Sequence, residues 1–406
     1  MEASSEDPVM EQQVNEDSCP TVHETTSPEQ PEAGDVSVGE PGGPAEEAVK
    51  LKEGDTAGGS VKYQPNWSTL SKEDIVDKVK GVIYGQAIGD ALGLATEFMT
   101  KEMAKGVYGK KGPSGYSDIH QDFHRSRWDK GDWTDDTDQM LLILQMILDR
   151  NGGVDKLDFA KRIQNWRSHG FSEFGDLGGM GIGMTVSRTL SHSQFLTDPH
   201  AAAIDVWERS GKYLAANGAI MRTSILGVAN FNDLERVVAN TVEICKVTHA
   251  DPRCAASCVS TTIAIALMLQ GKFNPNNKNQ LSALVKSSME EGEKTLEHSD
   301  QKVELKDHMT ASSLDKLKLY DQKTMGYTFK ALGAGFFSLR NSKDFREMLL
   351  KVIMEGGDAD SNGAVCGALM GCKFGFKALP QDLLAFTHRD WLDTQVDKFL
   401  ATIGLN

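Results

Sequence analysis

From Leu70 onward, apolar residues recur mostly three and four positions apart with little strict alternation, the period of helices that turn one side inward rather than of strands. The pattern predicts helices near 71–98, 135–150, 155–168, 218–229, 232–247, 253–270, 278–297, 326–339, 343–354 and 360–375. Several begin at residues suited to accept free backbone amides, such as Ser71 with Asp74 and Asn232 with Glu235. No segment repeats at a fixed period. The expected fold class is all-α, with a single compact many-helix domain over 68–406.

Ahead of that domain the pattern fails. The first residues, to about 60, are rich in Glu, Pro, Ser and Gly and nearly free of aromatics, so they bury too little apolar surface to offset chain entropy. Residues 1–67 are therefore expected to be a disordered acidic tail, dispensable for folding. Charge supports the division: of the net −15, residues 1–50 hold 13 acids and one base, which leaves 45 acids against 42 bases in the rest. A nearly neutral body offers no basic field for direct nucleic-acid binding. The tail has neither the basic start nor the apolar run of a signal peptide, and no run of about 18 apolar residues marks a membrane span. Six cysteines, at 19, 245, 254, 258, 366 and 372, form neither a disulfide framework nor a CxxC pattern. Cys254 and Cys258, four apart on a predicted helix, read as core. A reducing, cytoplasmic setting and a monomer are the expectations.

Two of the predicted helices share a feature that weakens them as helices. In "GVIYGQAIGDALG" glycines fall at 81, 85, 89 and 93, and in "NGAVCGALMGCKFG" at 363, 367, 371 and 375. Each interior glycine costs about 0.5–1 kcal/mol relative to alanine. A spacing of four keeps them on one slowly drifting face, where another backbone can approach closely. The two helices are expected to pack at about 8 Å or closer. Flanking charges and short apolar runs exclude a membrane dimer motif.

The same helices carry acids at their ends. Asp90 and Glu97 in "GDALGLATE" are seven apart, which places both on one helix face. Asp358 and Asp360 in "GGDADSN" are two apart, a spacing that suits a helix start, with Gly356 and Gly357 supplying the turn. A third group stands in "GDWTDDTDQM", where Asp132, Asp135, Asp136 and Asp138 crowd ahead of the apolar run "LLILQMIL". Carboxylates so close disfavour each other's ionisation unless something positive lies among them. Two candidates stand: the positive end of a helix, with Thr134 or Asp135 as its N-cap, or a bound cation. Capping needs one or two acids. Thr134, Asp135, Asp136, Asp358, Asp360 and Ser361 together make an all-oxygen set, which suits Mg²⁺, Mn²⁺ or Ca²⁺ over zinc or copper. Two such clusters facing each other point to a dinuclear site.

Taken in order, "GDALGLATE", "WTDDTDQM", "ANGAIMR", "VTHADP" and "GGDADSNGAVCGALMG" resemble the ADP-ribosylglycohydrolase family, which includes ADP-ribosyl-acceptor hydrolases and dinitrogenase reductase activating glycohydrolases; the likeness runs over about 75–376. It implies an all-α fold, a centre of two Mg²⁺ ions (or Mn²⁺), and hydrolysis of the glycosidic bond between ADP-ribose and an acceptor. The acceptor would be a protein side chain, poly(ADP-ribose) or the rest of a small ADP-ribose derivative. By motif the resemblance implies Thr134, Asp135, Asp136, Asp358, Asp360 and Ser361 as metal ligands, Glu97 as the catalytic residue, and His249, Asp90 and Asn217 at the substrate.

The glycine-rich loop "GDLGGMGIGMT", 175–185, lies where family members close over the diphosphate, so the backbone N–H groups of Gly179 and Gly181 are candidate contacts. Its composition equally fits a plain flexible loop, and a lone histidine such as His249 in "VTHADP" is, apart from the resemblance, more often a satisfied structural residue. Two departures from the family bear on the site. Ser361 stands where many members have Thr, keeping the hydroxyl without the methyl that stiffens it. The residues "GKYLAA" ahead of Asn217 lack the Ser-Tyr contacts of the member specific for serine-linked ADP-ribose. Relatives that serve as jellyfish lens crystallins keep a second class in view: a structural or ADP-ribose-binding protein on the same fold.

Overall fold

Where side chains accept the free amides of a first turn, helices begin. Ser71 Oγ accepts from the Asp74 amide at 3.1 Å, as its position predicts. The computed structural model describes residues 62–406, and among these lie fifteen α-helices and no strand; one isolated bridge pairs Ala216 with Tyr327. Seven of them are labelled here: α1 (Lys72–Gly93), α2 (Lys101–Tyr108), α3 (Asp135–Asp149), α4 (Pro252–Leu269), α5 (Thr328–Asn341), α6 (Ala359–Phe374) and α7 (Arg389–Thr402). The all-α class read from the apolar period is the class observed. α4 is buried along almost its whole length and packs as a core helix, although it is long and apolar enough to cross a membrane. The five described cysteines, 245, 254, 258, 366 and 372, are buried and unbridged.

The glycine faces meet. α1 and α6 run antiparallel, with Gly81 opposite Gly371, Gly85 opposite Gly367 and Gly89 opposite Gly363. A Cβ on Gly85 would lie 2.3 Å from the Gly367 carbonyl oxygen, and one on Gly367 would lie 1.9 Å from that of Gly85. No side chain fits such a gap, so backbone touches backbone. At the end of this contact Gly93 faces Ala359 and Asp360, which brings the C-terminal end of α1 to the start of α6.

Beyond Gly93 the structure departs from the expected 71–98 helix. A 3-10 turn, Leu94–Thr96, follows α1, and Glu97 is extended with φ −55° and ψ 136°. Glu97 therefore does not share a helix face with Asp90. Tertiary bonds draw the chain away: Thr96 Oγ1 donates to the Ile353 carbonyl at 2.6 Å, and the Phe98 amide donates to the Gly357 carbonyl at 2.7 Å. The expected helix at 218–229 survives only as Leu226–Ala229. Gln86 Nε2 takes the Met221 carbonyl at 2.9 Å, and the backbone instead closes short turns such as Leu226 N–H to Thr223 O at 3.0 Å. Asp233 rather than Asn232 caps the helix Leu234–Cys245, accepting the Arg236 amide at 3.0 Å.

Helices at Lys101–Tyr108, Met184–Leu190, Pro199–Arg209, Ser299–Met309 and Arg389–Thr402 lie outside the predicted set. The shortness or polarity of these segments hides the period; α2, for example, buries Ala104 alone. Residues 62–67, assigned to the tail, belong to the folded body. The Tyr63 amide donates to the Ile403 carbonyl at 2.7 Å, and the rings of Tyr63 and Trp67 pack on Phe231 with centroids 6.4 and 6.2 Å away. Two aromatics provide the burial that the preceding composition lacks. The rest of the expected tail, 1–61, lies outside the described residues.

Candidate active site

The end of α1, the starts of α3 and α6 and the 213–218 segment converge on one cavity of about 510 Å³, within the range of small-molecule sites. Glu97, Asp135 and Asp136 line it together with Asp358, Asp360 and Ser361. Gly181, Asn217 and His249 lie on its remaining walls, with half-exposed Phe98 and exposed Tyr213 and Met184. Three residues expected here do not line the cavity. Thr134 is buried one layer behind it, Gly179 packs against the Trp166 ring, and Asp90 is wholly enclosed.

Asp90 resolves the crowding ahead of α3. Its carboxylate accepts the Thr134 amide at 3.0 Å and the Thr137 amide at 2.9 Å, and the hydroxyls of Thr134 and Thr137 at 2.8 and 2.6 Å. The cap of α3 is thus supplied from α1, and Thr134 itself makes no capping bond. Asp90 is a bracket for the first turn of α3, and the expectation of substrate contact is corrected: the side chain is buried and does not line the cavity. Burial pushes its carboxyl up to about 6, while the bonds from Thr137 and Thr134 pull the other way. Asp138 and Asp132 also have structural partners. Asp138 accepts the indole N–H groups of Trp133 and Trp166, both at 2.9 Å, and Asp132 lies 3.3 Å from His388.

Asp135 and Asp136 are left over from capping. Asp90, Asp136 and Asp360 can each place a carboxylate oxygen within 4.8 Å of the others. Burial pushes the carboxyls of Asp135, Asp136 and Asp360 well above the ordinary range; repulsion from Asp90 adds to the first two, and repulsion from Glu97 and Asp358 to the third. Asp136 Oδ1 is buried with no hydrogen-bond donor among the described residues. The Thr134 hydroxyl gives its proton to Asp90, which leaves lone pairs on its oxygen. A hard, all-oxygen, electron-rich set with an orphaned carboxylate oxygen fits a divalent cation. On the opposite side Asp358 opens α6 after Gly356 and Gly357, both at φ +72°, as the expected turn requires. Asp358 Oδ2 accepts from Asn217 Nδ2 at 2.9 Å. A Cβ on Gly181, at φ +90°, would lie 2.3 Å from Asp135 Oδ1, so the glycine loop lays bare backbone against the acidic centre.

A buried relay of hydrogen bonds connects Asp135 to His249. Gln139 Nε2 donates to Asp135 at 2.8 Å, Arg222 donates to Gln139 Oε1 at 2.8 Å and to Thr248 Oγ1 at 2.7 Å, and Thr248 Oγ1 meets His249 Nδ1 at 2.7 Å. Among the described residues Nδ1 is the one acceptor within reach of the Thr248 hydroxyl proton; with that proton given to Nδ1, the histidine carries its hydrogen on Nε2. Burial, helped by the Arg222 charge, lowers the imidazole to about 3. His249 therefore presents a neutral N–H, and Nε2 has no partner among the described residues.

Glu97, 7 % exposed, faces His124, whose Nε2 lies 2.6 Å from Glu97 Oε2. Burial raises the Glu97 carboxyl, the hydrogen bond and charge of His124 oppose that rise, and Asp358 adds to it. Gln139, Arg222, Thr248 and His124 were not legible as site residues in the sequence. "DFHRSRW", which holds His124, has no apolar period and lies 27 positions from Glu97.

Fold and site together define an all-α protein whose cavity is built on a carboxylate centre able to hold metal. Residues 71–406 match the family model described as ADP-ribosylglycohydrolase, and the chain belongs to that family. It is 28% identical to an uncharacterized protein of Archaeoglobus fulgidus over 79% of this chain and 95% of that one. It is 26% identical to an ADP-ribosyl-[dinitrogen reductase] glycohydrolase of Rhodospirillum rubrum, over 83% of this chain and 100% of that one, and 24% identical to the ADP-ribosylarginine hydrolase Tri1 of Serratia proteamaculans, over 84% and 83%. A solved structure described as an ADP-ribosylglycohydrolase-related protein complex has the same fold, with a TM-score of 0.59 and 24% identity over 82% of this chain and 99% of that chain.

Proposed function

We propose that the protein hydrolyses the glycosidic bond joining ADP-ribose to an acceptor, with two Mg²⁺ ions (or Mn²⁺) held by Thr134, Asp135, Asp136, Asp358, Asp360 and Ser361. The observation that carries this reading is the spare acidity of the centre. Asp90 alone caps α3, yet Asp135 and Asp136 remain buried beside Asp360, with Asp136 Oδ1 unpartnered. Bound there, the cations would polarise substrate oxygens and offset charge that develops as the bond breaks.

The chain's own residues do the rest. Glu97 moves a proton, to or from the attacking water or the leaving group, and burial, which raises its carboxyl, makes it a stronger base than a free glutamate. His249 donates Nε2–H to a substrate oxygen without adding charge. Asn217 orients Asp358 through its amide, and the Gly181 backbone closes over Asp135 where a side chain would collide. Among acceptors, arginine-linked ADP-ribose is the first to expect, because two relatives are named for it.

Incubating the purified protein with ADP-ribosylated arginine, ADP-ribosylated serine and poly(ADP-ribose), with Mg²⁺ or with chelator, tests the reading. Metal-dependent release of free ADP-ribose from at least one supports it. Release from none would overturn it in favour of a binding or structural role.

A further inference from the structure

Between α2 and α3 the chain returns to the end of α1 and fastens it. Tyr108 donates its hydroxyl proton to the Ala95 carbonyl at 2.9 Å and accepts the His120 amide at 3.0 Å. Arg125, 3 % exposed, donates Nε–H to the Ala95 carbonyl at 2.9 Å and Nη2–H to the Glu97 carbonyl. Asp122 orients the tip, pairing with the Arg125 guanidinium and accepting the amides of His124 and Arg125 at 3.0 and 2.8 Å. Arg125 thus holds the backbone of Glu97, and His124 meets its side chain.

The residue after Glu97 is strained in support of the same arrangement. Phe98 has φ +59°, a left-handed conformation costly for a bulky side chain. Its amide is held by the Gly357 carbonyl at 2.7 Å. The Phe98 ring lies 4.8 Å from the His124 ring, and Trp128 lies 5.2 Å from His124 on a second side. Packing between two aromatics fixes the imidazole, so Nε2 has one direction in which to point.

We propose that His124 is the positioning residue for Glu97: it holds Oε2 of the carboxylate through Nε2 and leaves Oε1 as the oxygen that exchanges the proton. This inference rests on the function proposed above. The reason is conformational. A glutamate side chain has three torsions, and this one stands among Asp135, Asp358 and Asp360, all of which line the same cavity. A carboxylate without a fixed donor would turn away from those charges or toward a cation among them. With one oxygen pinned at 2.6 Å, rotation is stopped and the other oxygen is placed.

The test uses the full chain loaded with Mg²⁺, and whichever of the three substrates the wild type cleaves fastest. His124→Phe keeps a ring between Phe98 and Trp128 and removes the Nε2 contact; His124→Gln restores an amide donor. The expected result is a fall in kcat of about tenfold to a hundredfold for His124→Phe, with KM, ADP-ribose affinity by calorimetry and melting temperature unchanged. His124→Gln should recover part of the rate, and Glu97→Gln with His124→Phe should be no slower than Glu97→Gln alone. Wild-type kcat in His124→Phe, beside an inactive Glu97→Gln, would overturn this inference and leave the function standing. A loss carried in KM and ADP-ribose affinity would overturn it in favour of substrate contact. A wild type that cleaves none of the substrates would remove the function and this inference with it.

Discussion

At the scale of single residues, the site depends on which side chains already have partners. His249 shows this in its proton. The sequence leaves it open between structural and functional readings; the bonds from Arg222 through Thr248 decide its tautomer, and none of these partners adjoins it in a pattern that a sequence reveals except Thr248. The acids were legible because clustered carboxylates need a reason, but Asp90 was misread, since its function as a cap appears only when α1 and α3 are side by side. The His249 environment carries a pH prediction. Its pKa falls from 6.5 to about 3 on folding, so the unfolded chain takes up a proton below about 6.5 that the folded protein refuses. The contribution is full above that pH and is lost as pH falls toward 3. Between pH 7 and pH 5 the wild type should lose about 1–2 kcal/mol more than His249→Gln. Melting both proteins across this range measures the difference; parallel slopes would show that His249 is not held neutral.

At the scale of elements, the α1–α6 contact was legible because four glycines in register have few uses outside close backbone approach. Where helices stop was less so. Glu97 leaves the helix because Ile353 and Gly357 offer bonds, and the turns after Gly218 form where Gln86, on α1, donates to the Met221 carbonyl. Those partners lie far away in sequence, so local periodicity runs straight through the breaks. The contact gives a paired prediction. Gly367→Ala sets a methyl 1.9 Å from the Gly85 carbonyl oxygen and should destabilise by at least about 1–3 kcal/mol through overpacking. Gly106→Ala, inside α2 with nothing within 4 Å of the new methyl, should stabilise by about 0.5–1 kcal/mol. Thermal melting of the two variants separates a glycine required by contact from one that is merely tolerated. A Gly367→Ala variant as stable as the wild type would mean that the helices can part freely.

At the scale of the whole molecule, the all-α class followed from the apolar period, while the start of the folded body did not. Tyr63 and Trp67 look like the end of an acidic tail until Phe231 and Ile403 are beside them. The acidic centre is the larger global feature, because carboxylates from α1, α3 and α6 meet there and each helix contributes charge that the others must tolerate. Without a cation, burial and repulsion push Asp135, Asp136 and Asp360 upward, so ionising them opposes folding as pH rises above the ordinary carboxylate range. A cation reverses the sign: it binds the ionised forms, releases their protons, and should bind more tightly as pH rises. Because the unfolded chain has no such centre, Mg²⁺ at about a hundred times the dissociation constant of a site should add about 2.7 kcal/mol to stability for each ion bound. Asp136→Asn removes a repelling charge and replaces one of the two carboxylate oxygens by an amide nitrogen that cannot bind a cation. In chelator it should melt above the wild type, and added Mg²⁺ should then raise it little, whereas Glu97→Gln should follow the wild type in its response to Mg²⁺ and lose turnover. Melting with and without Mg²⁺, beside calorimetry of Mg²⁺ binding at two pH values, reads all of these at once. An Asp136→Asn protein that binds and responds to Mg²⁺ like the wild type would place the cation elsewhere, and the acids ahead of α3 would again lack a reason.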